Sequence, residues 1–391
     1  MKLINIIFII LSLLVIYILI RKNNNIKLIN NIIMSDSIYI GSEGNGSDGI
    51  NTINYIMKLA YPDKNIVWAN NDRASIIIKS NFPNLERLWN KNNKPYIYWS
   101  GEVVNPPKSS YSNSSISIQT INTNHNNSDI FYIPYCAERF DFKNPIKKYE
   151  FNINRKFLAY CNSNPVQFRD NFVDLLAEKD KTNGVFALGR CVGKSPKINK
   201  KKIGGTHLED GIINEYSNYA FIICMENQIE NGYVTEKIIN GFKSGAIPIY
   251  WGDPIAVKKI FNEKAFICVN DFPNIESCAN YIIELFNDKA RLQNMANEPV
   301  FSNNIIPDIM QIGNYENPPK YYLEIANKVK RMIENNTNTS INNTSINNRQ
   351  QINLLQQSNI KKIPIVSGIN NNLINNTQIY NKLLINRILR K

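Results

Sequence analysis

The sequence predicts an α/β fold with parallel strands, because short apolar runs alternate with amphipathic helical segments along most of its length. Its 391 residues leave room for two domains of ordinary size. Residues 219–250 show the pattern most completely, as an apolar strand, a polar loop, a helix and a second apolar strand. In open parallel sheets, ligands bind at the edge where such strands end, so we expect a site at that loop.

The chain begins with an apolar segment at residues 3–20, which carries no charge and has basic residues on both sides. Its length is close to the minimum for one membrane-spanning helix. We therefore expect residues 1–22 to form a membrane anchor and the Asn-rich residues 23–34 to form a stem. A cleaved signal peptide is the alternative, but its apolar region would be shorter and small residues would follow it. The orientation stays open, because positive charge is heavier on the C-terminal side.

Residues 35–150 are predicted to form the first α/β domain. Its predicted strands are 38–40, 66–68, 76–78, 96–99 and 130–134, with a helix at 53–59. The glycine-rich loop 41–49 lacks the Gly-Lys-Ser/Thr ending of a phosphate-binding loop, so a flexible loop is the better interpretation. Residues 105–128 are rich in Ser, Asn and Pro and are predicted to be a variable loop.

One carboxylate of the first domain stands out by its position. The strand predicted at 96–99 ends at Ser100, Gly101 and Glu102, which places Glu102 at the C-terminal end of a buried strand. This is near the edge of the sheet where sites form. The pattern is also typical of a turn carboxylate that caps the following loop.

Residues 151–334 are predicted to form the second α/β domain. Its predicted strands are 157–164, 185–188, 219–224, 246–250 and 266–269, and its helices are 168–176, 236–242, 275–285 and 320–334. Pro248 interrupts its strand, which predicts a sheet edge or an irregular strand end. The basic stretch 194–205 is either a lid over a ligand or a solvated loop. Residues 335–391 are dominated by Asn, Thr, Ser, Ile and Gln and are predicted to be a loosely structured tail.

Two of the predicted helices carry an apolar face. In the helix at 168–176, this face consists of Phe168, Phe172, Leu175 and Leu176, and in the helix at 236–242 it consists of Ile238, Ile239 and Phe242. Both faces have the spacing of helices that pack on a sheet.

The most informative cluster of polar residues opens the helix at 236–242. Thr235 is a suitable N-cap, so Glu236 and Lys237 fall in the first turn. Lys237 and the free N–H groups of the helix start suit a diphosphate, while Glu236 suits ribose hydroxyls and Tyr233 offers a ring and a hydroxyl. An exposed first turn with a solvated Glu–Lys pair fits the spacing equally well.

Charge and cysteine usage exclude several other functions. The net charge is +13, but the lysines are scattered and no basic run with interleaved aromatics occurs, so we expect no nucleic-acid partner. The six cysteines include no Cys-x-x-Cys pair and imply no disulfide framework. Only two histidines occur and Asp-x-Asp is absent, so we expect no metal site.

Residues 221–252 resemble the signature of the α-1,3-fucosyltransferases, glycosyltransferase family ten, in its bacterial form. The matching pieces are the Glu226-Asn227 pair, the run from Tyr233 to Lys237, and IPIYWG at 247–252. Weaker similarity extends over about residues 35–330. The resemblance implies the GT-B architecture, in which two Rossmann-like domains face an interdomain cleft.

The resemblance also implies a reaction and its substrates. GDP-fucose would be the donor, bound by residues 157–270, and an acceptor oligosaccharide or glycoprotein would be held by residues 35–150. The transfer would be inverting, to O3 of a GlcNAc or Glc unit, with no metal or other cofactor. A transferase for another GDP-linked deoxysugar, or a non-catalytic carbohydrate-binding protein on the same fold, are the alternatives.

The resemblance further implies residue roles. Glu102 matches the general base of the family, and the predicted donor-binding residues are Arg190, Glu226, Asn227, Tyr233, Glu236 and Lys237. Arg190 follows the strand at 185–188, but the Gly-Gly-rich lead-in of the family is absent, so a surface arginine is the alternative. Family members of higher organisms are single-pass proteins with an N-terminal signal anchor. We therefore expect a Golgi-type membrane, or a host membrane if the chain is viral.

Overall fold

The computed structural model describes residues 36–43, 49–80, 94–103, 114–123, 128–144, 146–203 and 210–337. These residues build two parallel six-stranded sheets with helices packed on them. The predicted anchor, the stem and all but the first three residues of the predicted tail lie outside the described residues. Among the helices of the described ranges, none has the length and hydropathy needed to cross a bilayer.

The first sheet is built entirely from residues before position 133, and its strand order is β2-β1-β3-β4-β5-β6. All neighbouring strands are parallel. The strands are β1 (Ser37–Glu43), β2 (Asn65–Trp68), β3 (Ile76–Ser80), β4 (Tyr96–Ser100), β5 (Ser115–Gln119) and β6 (Ile130–Tyr132), with helices α1 (Ile50–Ala60) and α2 (Tyr135–Glu138).

Strand β5 corrects the prediction of a loop over residues 105–128. Its sequence is Ser-Ile-Ser-Ile-Gln, and all five side chains are buried between β4 and β6. The Ser, Asn and Pro content of the segment predicted a loop, whereas β5 is an inner strand with both faces buried, as is usual in parallel sheets.

The second sheet has the strand order β12-β11-β10-β7-β8-β9, and its neighbouring strands are again all parallel. With β7 counted as the first strand, this is the 3-2-1-4-5-6 order of the Rossmann fold, and the order reverses between β7 and β10. The strands are β7 (Lys156–Tyr160), β8 (Val185–Ala187), β9 (Asn199–Lys200), β10 (Tyr219–Met225), β11 (Ile247–Trp251) and β12 (Ile267–Cys268).

Six helices accompany the second sheet, and α5 follows β10 as predicted. They are α3 (Gln167–Lys179), α4 (Asp210–Tyr216), α5 (Glu236–Lys243), α6 (Pro254–Ile260), α7 (Ile275–Asn287) and α8 (Lys289–Asn297). In α3 the buried face includes Arg169, Phe172 and Val173, whereas Phe168 and Leu175 are only partly buried. The predicted face of this helix is therefore rotated by about one residue.

Pro248 does not lie on an edge strand, so that part of the prediction is wrong. Strand β11 is an inner strand with β10 on one side and β12 on the other. Pairing with β12 begins only at Ile249, so no strand lies beside Pro248 on that side. The irregular start of the pairing accommodates a residue that lacks an N–H donor.

The last described helix, α9 (320–337), returns to the first half of the protein. The hydroxyl of Tyr321 donates to the carbonyl oxygen of Tyr132 and accepts from its N–H, both at 2.9 Å. Lys328 forms an ion pair with Asp129. The helix predicted at 320–334 closes the fold as expected, but it packs on the first sheet, although residues 151–334 were assigned to the second domain.

Helix α1 is capped by a distant carboxylate. Glu138 is 2% exposed, and its oxygens accept hydrogen bonds from the N–H of Asn51 at 2.9 Å, the N–H of Thr52 at 2.7 Å and the hydroxyl of Thr52 at 2.5 Å. Burial raises the pKa of Glu138, and the hydrogen bonds from Thr52 and Asn51 oppose that shift. A carboxylate at a helix N-terminus is stabilising because it satisfies free N–H groups there.

We expect Glu138→Ala to lower the free energy of unfolding by about 1–3 kcal/mol, because buried donors of α1 lose their acceptor. Urea denaturation followed by circular dichroism measures this. Glu324→Ala is the control, because Glu324 is 58% exposed in a surface ion pair, and it should leave the stability unchanged. A Glu138→Ala variant as stable as the parent would contradict this account of the cap.

Candidate active site

A cavity of about 660 Å³ lies between the carboxyl ends of the strands of the two sheets. The first half contributes Gly101 and Glu102, directly after β4, and Tyr135 at the start of α2. From the second half, the loops after β7, β8 and β10 and the first turn of α5 line the cavity. It therefore lies at the position where the strand order of the second sheet reverses, which is where open α/β sheets bind ligands.

Six of the seven predicted site residues line this one cavity. They are Glu102, Arg190, Asn227, Tyr233, Glu236 and Lys237. Glu226 is the exception, because it is fully buried behind the cavity wall and does not reach the cavity. Glu226 therefore does not line the cavity in which the other six predicted residues meet.

The carboxylate of Glu226 instead holds the start of α5. Its Oε1 accepts from the N–H of Thr235 at 2.8 Å, and its Oε2 accepts from the hydroxyl of Thr235 at 2.8 Å and from Nζ of Lys237 at 3.0 Å. Thr235 occupies the N-cap position, but its hydroxyl is used by Glu226 and makes no capping bond to α5. This arrangement fixes the ammonium group of Lys237 at the cavity wall.

The surroundings of this pair raise the pKa of both of its members. Burial works against the charge on Lys237, but the carboxylates of Glu226 and Glu236 outweigh it and raise the pKa of the ammonium. Burial raises the pKa of Glu226, and Lys237 opposes that shift. The side chain of Lys237 is 19% exposed, so its charge remains available to a ligand in the cavity.

Tyr233 connects the two halves across the cavity. Its hydroxyl donates a hydrogen bond to Oε2 of Glu102 at 3.0 Å, although the two residues are 131 positions apart. Burial raises the pKa of Tyr233 well above its ordinary value, and the negative charges of Glu226 and Glu102 add to that effect. The phenol therefore stays protonated and serves as a donor to Glu102.

The turn before Tyr233 requires glycine at position 232. Gly232 has φ of +82°, and a Cβ there would lie 2.7 Å from the ring of Tyr132. Its carbonyl oxygen accepts from the Tyr132 hydroxyl at 2.7 Å, and its N–H donates to Asp253 at 2.7 Å. Because Tyr132 belongs to β6, the turn is held against the first half of the protein.

Arg190 lines the cavity, because the segment after β8 packs against the loop after β7. The position before it is Gly189, where a Cβ would lie 2.5 Å from the carbonyl oxygen of Asn162. The N–H of Cys191 donates to the same oxygen at 3.0 Å. This close contact between two chain segments fixes the backbone position of Arg190, from which its side chain extends.

Several lining residues were not identified from the sequence. Lys202 faces the cavity, although the stretch 194–205 was interpreted as a lid or a solvated loop. It follows β9, a strand of only two residues that gives no sequence signal. Asn162 and Tyr135 also line the cavity. The only feature of the sequence that could have identified them is their position, after a predicted strand for Asn162 and at the start of a helix for Tyr135.

Within the part of the chain that the structure describes, no group of three or more His, Cys, Asp or Glu side chains is arranged to hold a metal ion. The six cysteines are all free thiols.

The segment from β7 to α8 matches a model of a known protein family. Residues 154–296 match the family model "Glycosyltransferase family 10 (fucosyltransferase) C-term". The chain is 36% identical over 156 residues to the alpha-(1,3)-fucosyltransferase FucT of Helicobacter pylori. The aligned residues make up 39% of this chain and 28% of that protein. It is 32% identical over 153 residues to the putative fucosyltransferase R654 of Acanthamoeba polyphaga mimivirus, 38% of this chain and 24% of that protein. The matches thus span about a quarter of these relatives' lengths.

The fold extends the similarity to both halves. A crystal structure of an alpha1,3-fucosyltransferase superimposes with a TM-score of 0.57 at 21% identity, covering 76% of this chain and 90% of that chain. A crystal structure of an alpha1,3-fucosyltransferase with GDP-fucose superimposes with a TM-score of 0.53. At this identity the likeness concerns the fold, and it confirms the predicted GT-B arrangement of two parallel sheets. Residues 154–296 are therefore similar to the C-terminal domain of glycosyltransferase family 10, the fucosyltransferase family, and the described fold is similar to that of an alpha1,3-fucosyltransferase.

Proposed function

We propose that this chain is an inverting α-1,3-fucosyltransferase, which moves L-fucose from GDP-fucose to O3 of a GlcNAc or Glc unit in an acceptor glycan. One observation carries the proposal. A carboxylate from the first half, Glu102, and the charged helix start of the second half, Glu236 and Lys237, line the same cavity. The family match of residues 154–296 and the GDP-fucose in a structure of the same fold support GDP-fucose as the donor.

The donor would bind along the start of α5. Lys237 and Arg190 line the cavity and would neutralise the diphosphate, and the positive end of the helix dipole would add to their effect. Glu236 would accept hydrogen bonds from the ribose hydroxyls, because a carboxylate beside the diphosphate itself would repel it. The protein's own cations thereby supply the charge that stabilises the leaving GDP.

The acceptor would react on the side of Glu102. This residue is exposed, and its Oε2 is held by Tyr233, which leaves Oε1 for the acceptor. Glu102 would take the proton from the acceptor hydroxyl while that oxygen attacks C1 of fucose and the bond from C1 to the GDP oxygen breaks. A single displacement of this kind inverts the configuration at C1. The acceptor class is an oligosaccharide or a glycoprotein.

A membrane location is a separate proposal. The uncharged apolar run at residues 3–20 supports a single-pass N-terminal anchor, in a Golgi-type membrane or a host membrane. We expect the full-length chain expressed in eukaryotic cells to stay in the membrane pellet after alkaline carbonate extraction. Release of the chain into the supernatant would contradict the anchor.

Replacement of the general base tests the reaction. We expect Glu102→Gln to reduce transfer from GDP-fucose to N-acetyllactosamine by about 10²–10⁴-fold, because the proton loses its acceptor. The affinity for GDP should stay nearly constant, since glutamine keeps the size of the side chain and an oxygen that accepts from Tyr233. Product formation would be followed with full-length chain in mild detergent, with excess EDTA.

The outcomes of this assay separate the alternatives. Parent activity that requires added metal would contradict the metal-free site. Parent chain that binds GDP but transfers no fucose would redirect the search to other GDP-linked deoxysugars. Loss of GDP binding in Glu102→Gln would show that Glu102 is a structural residue. The matched control is Glu324→Gln, which changes an exposed glutamate outside the cavity.

The pair of Glu226 and Lys237 generates a second test. We expect Glu226→Ala to lower the free energy of unfolding by about 3–5 kcal/mol, because it leaves Lys237 without its buried partner. The double variant Glu226→Met/Lys237→Met should recover part of that loss, while its GDP affinity falls with that of Lys237→Met. Calorimetric titration with GDP and urea denaturation measure the two effects. Unchanged GDP affinity in Lys237→Met would remove Lys237 from the diphosphate site.

A further inference from the structure

Four consecutive residues between β10 and α5, residues 231–234, form hydrogen bonds with the first half of the protein. The carbonyl oxygen of Asn231 accepts from the N–H of Asn122 at 2.7 Å, and the side-chain amide of Asn231 donates back to the carbonyl oxygen of Asn122 at 2.7 Å. At the other end, the carbonyl oxygen of Val234 accepts from the N–H of Cys136 at 2.9 Å. We refer to residues 231–234 as the bridge segment.

The two inner residues of the bridge segment lead to the predicted general base. Tyr132 donates to the carbonyl oxygen of Gly232 at 2.7 Å, and Tyr233 donates to Glu102 at 3.0 Å. The four partners of the bridge segment come from different parts of the first half, namely the segments after β4 and β5, strand β6 and helix α2. Because each residue is tied separately, the position of the Tyr233 hydroxyl depends on these bonds, and the position of Glu102 depends on that hydroxyl.

The peptide group between Gly232 and Tyr233 is held from the first half by Tyr132. Burial raises the pKa of Tyr132 well above its ordinary value, so its hydroxyl stays protonated and remains a donor to the oxygen of this peptide. The N–H of Gly232 donates to Asp253 of the second half at 2.7 Å. The glycine turn is therefore bonded to both halves, and these bonds set the direction in which the chain enters Tyr233.

Tyr132 can influence the site without contacting a ligand. It is not among the described residues that line the cavity, so its replacement removes no direct contact with the donor or the acceptor. Loss of its hydroxyl would leave the carbonyl oxygen of the buried Gly232 without its donor, and an unsatisfied buried carbonyl favours a rearranged turn. A misplacement of about 1 Å at a reacting group can cost about 10²-fold in rate.

We propose that Tyr132 is a positioning residue for the general base, and that it acts on Glu102 through the peptide of Gly232 and the hydroxyl of Tyr233. This inference rests on the proposed function, because it takes Glu102 to be the base that receives the proton of the acceptor hydroxyl. The bridge segment leads directly into α5, so it joins this base to the helix start that would hold the donor. Tyr132 thereby controls where the proton acceptor lies relative to that helix.

The first test removes only one hydroxyl group. We expect Tyr132→Phe in the full-length chain to lower kcat for fucose transfer to N-acetyllactosamine by about 10- to 100-fold, because the base is misplaced, while GDP affinity stays unchanged. Tyr322→Phe is the matched control, because the buried Tyr322 also donates to a backbone carbonyl oxygen, that of Ile309 at 2.6 Å. It should lower the thermal midpoint and keep the parent kcat. Initial rates and calorimetric titration with GDP provide the two readouts.

A double-variant cycle tests whether Tyr132 acts through Glu102. In chain that already carries Glu102→Ala, no base remains to be positioned, so Tyr132→Phe should cause no further loss of transfer, whereas two independent effects would multiply. If Tyr132→Phe does not fold, Asn231→Ala takes its place, because it removes an exposed amide that donates to Asn122 at the end of the bridge segment. It should also lower kcat, and only when Glu102 is present.

The outcomes separate this inference from the proposed function. Parent chain that transfers no fucose, or that transfers it equally well with Glu102→Ala, overturns both. Active parent chain together with an unchanged kcat in Tyr132→Phe overturns only the role of Tyr132. Losses that multiply in the double variant, an equal loss in Tyr322→Phe, or reduced GDP affinity in Tyr132→Phe would also overturn that role alone. A lower kcat that depends on Glu102, with GDP affinity retained, supports it.

Discussion

The carboxylate of Glu226 is fully buried, and all three groups that satisfy it come from Thr235 and Lys237 at the start of α5. This contact joins the end of β10 to the helix that follows it. An unsatisfied buried carboxylate would be costly, so the helix start cannot move away without a large loss of stability. The position of the ammonium of Lys237, and with it the positive wall of the cavity, depends on this one side chain.

The two halves of the site share one hydrophobic core and are also joined by polar contacts beside the cavity. Gly232 forms a turn, and its carbonyl oxygen accepts a hydrogen bond from Tyr132 of the first sheet. Tyr233 comes directly after this turn, and the hydroxyl of Tyr233 donates to Glu102. Helix α9 crosses back and packs on the same sheet through Tyr321. The general base proposed for the acceptor and the charges proposed for the donor are therefore held at a fixed separation. Such positioning of two reactants is a major source of catalytic rate.

Much of this arrangement follows from local sequence patterns. The unit from β10 to β11 was predicted because apolar runs, an N-cap threonine and a helical face all occur within 32 consecutive residues, 219–250. Glu102 was found because it follows a strand and a glycine. Elements without such signals were missed: β5 alternates serine with isoleucine, and β9 has only two residues. The burial of these strands comes from their neighbours in the sheet, which a local pattern does not contain.

The roles of adjacent residues were harder to predict than their location. Glu226 and Asn227 are neighbours at a strand end, yet Glu226 points into the protein and Asn227 lines the cavity. Successive residues of an extended chain face opposite sides, so a pair identified by motif alone cannot both serve the ligand directly. The burial of Arg169 was not predicted for a related reason, because a charged residue on a helix is normally expected on the face that contacts solvent. Only the fold shows that this face is buried.

The most direct measurement is a crystal structure of the full-length chain with GDP. We expect the diphosphate to lie against Lys237, Arg190 and the first turn of α5, with the ribose hydroxyls on Glu236. Glu102 should then lie across the cavity, on the side left for the sugar and the acceptor. Density for GDP away from Lys237, or at the edge of the first sheet, would contradict the assignment of this cavity as the donor site.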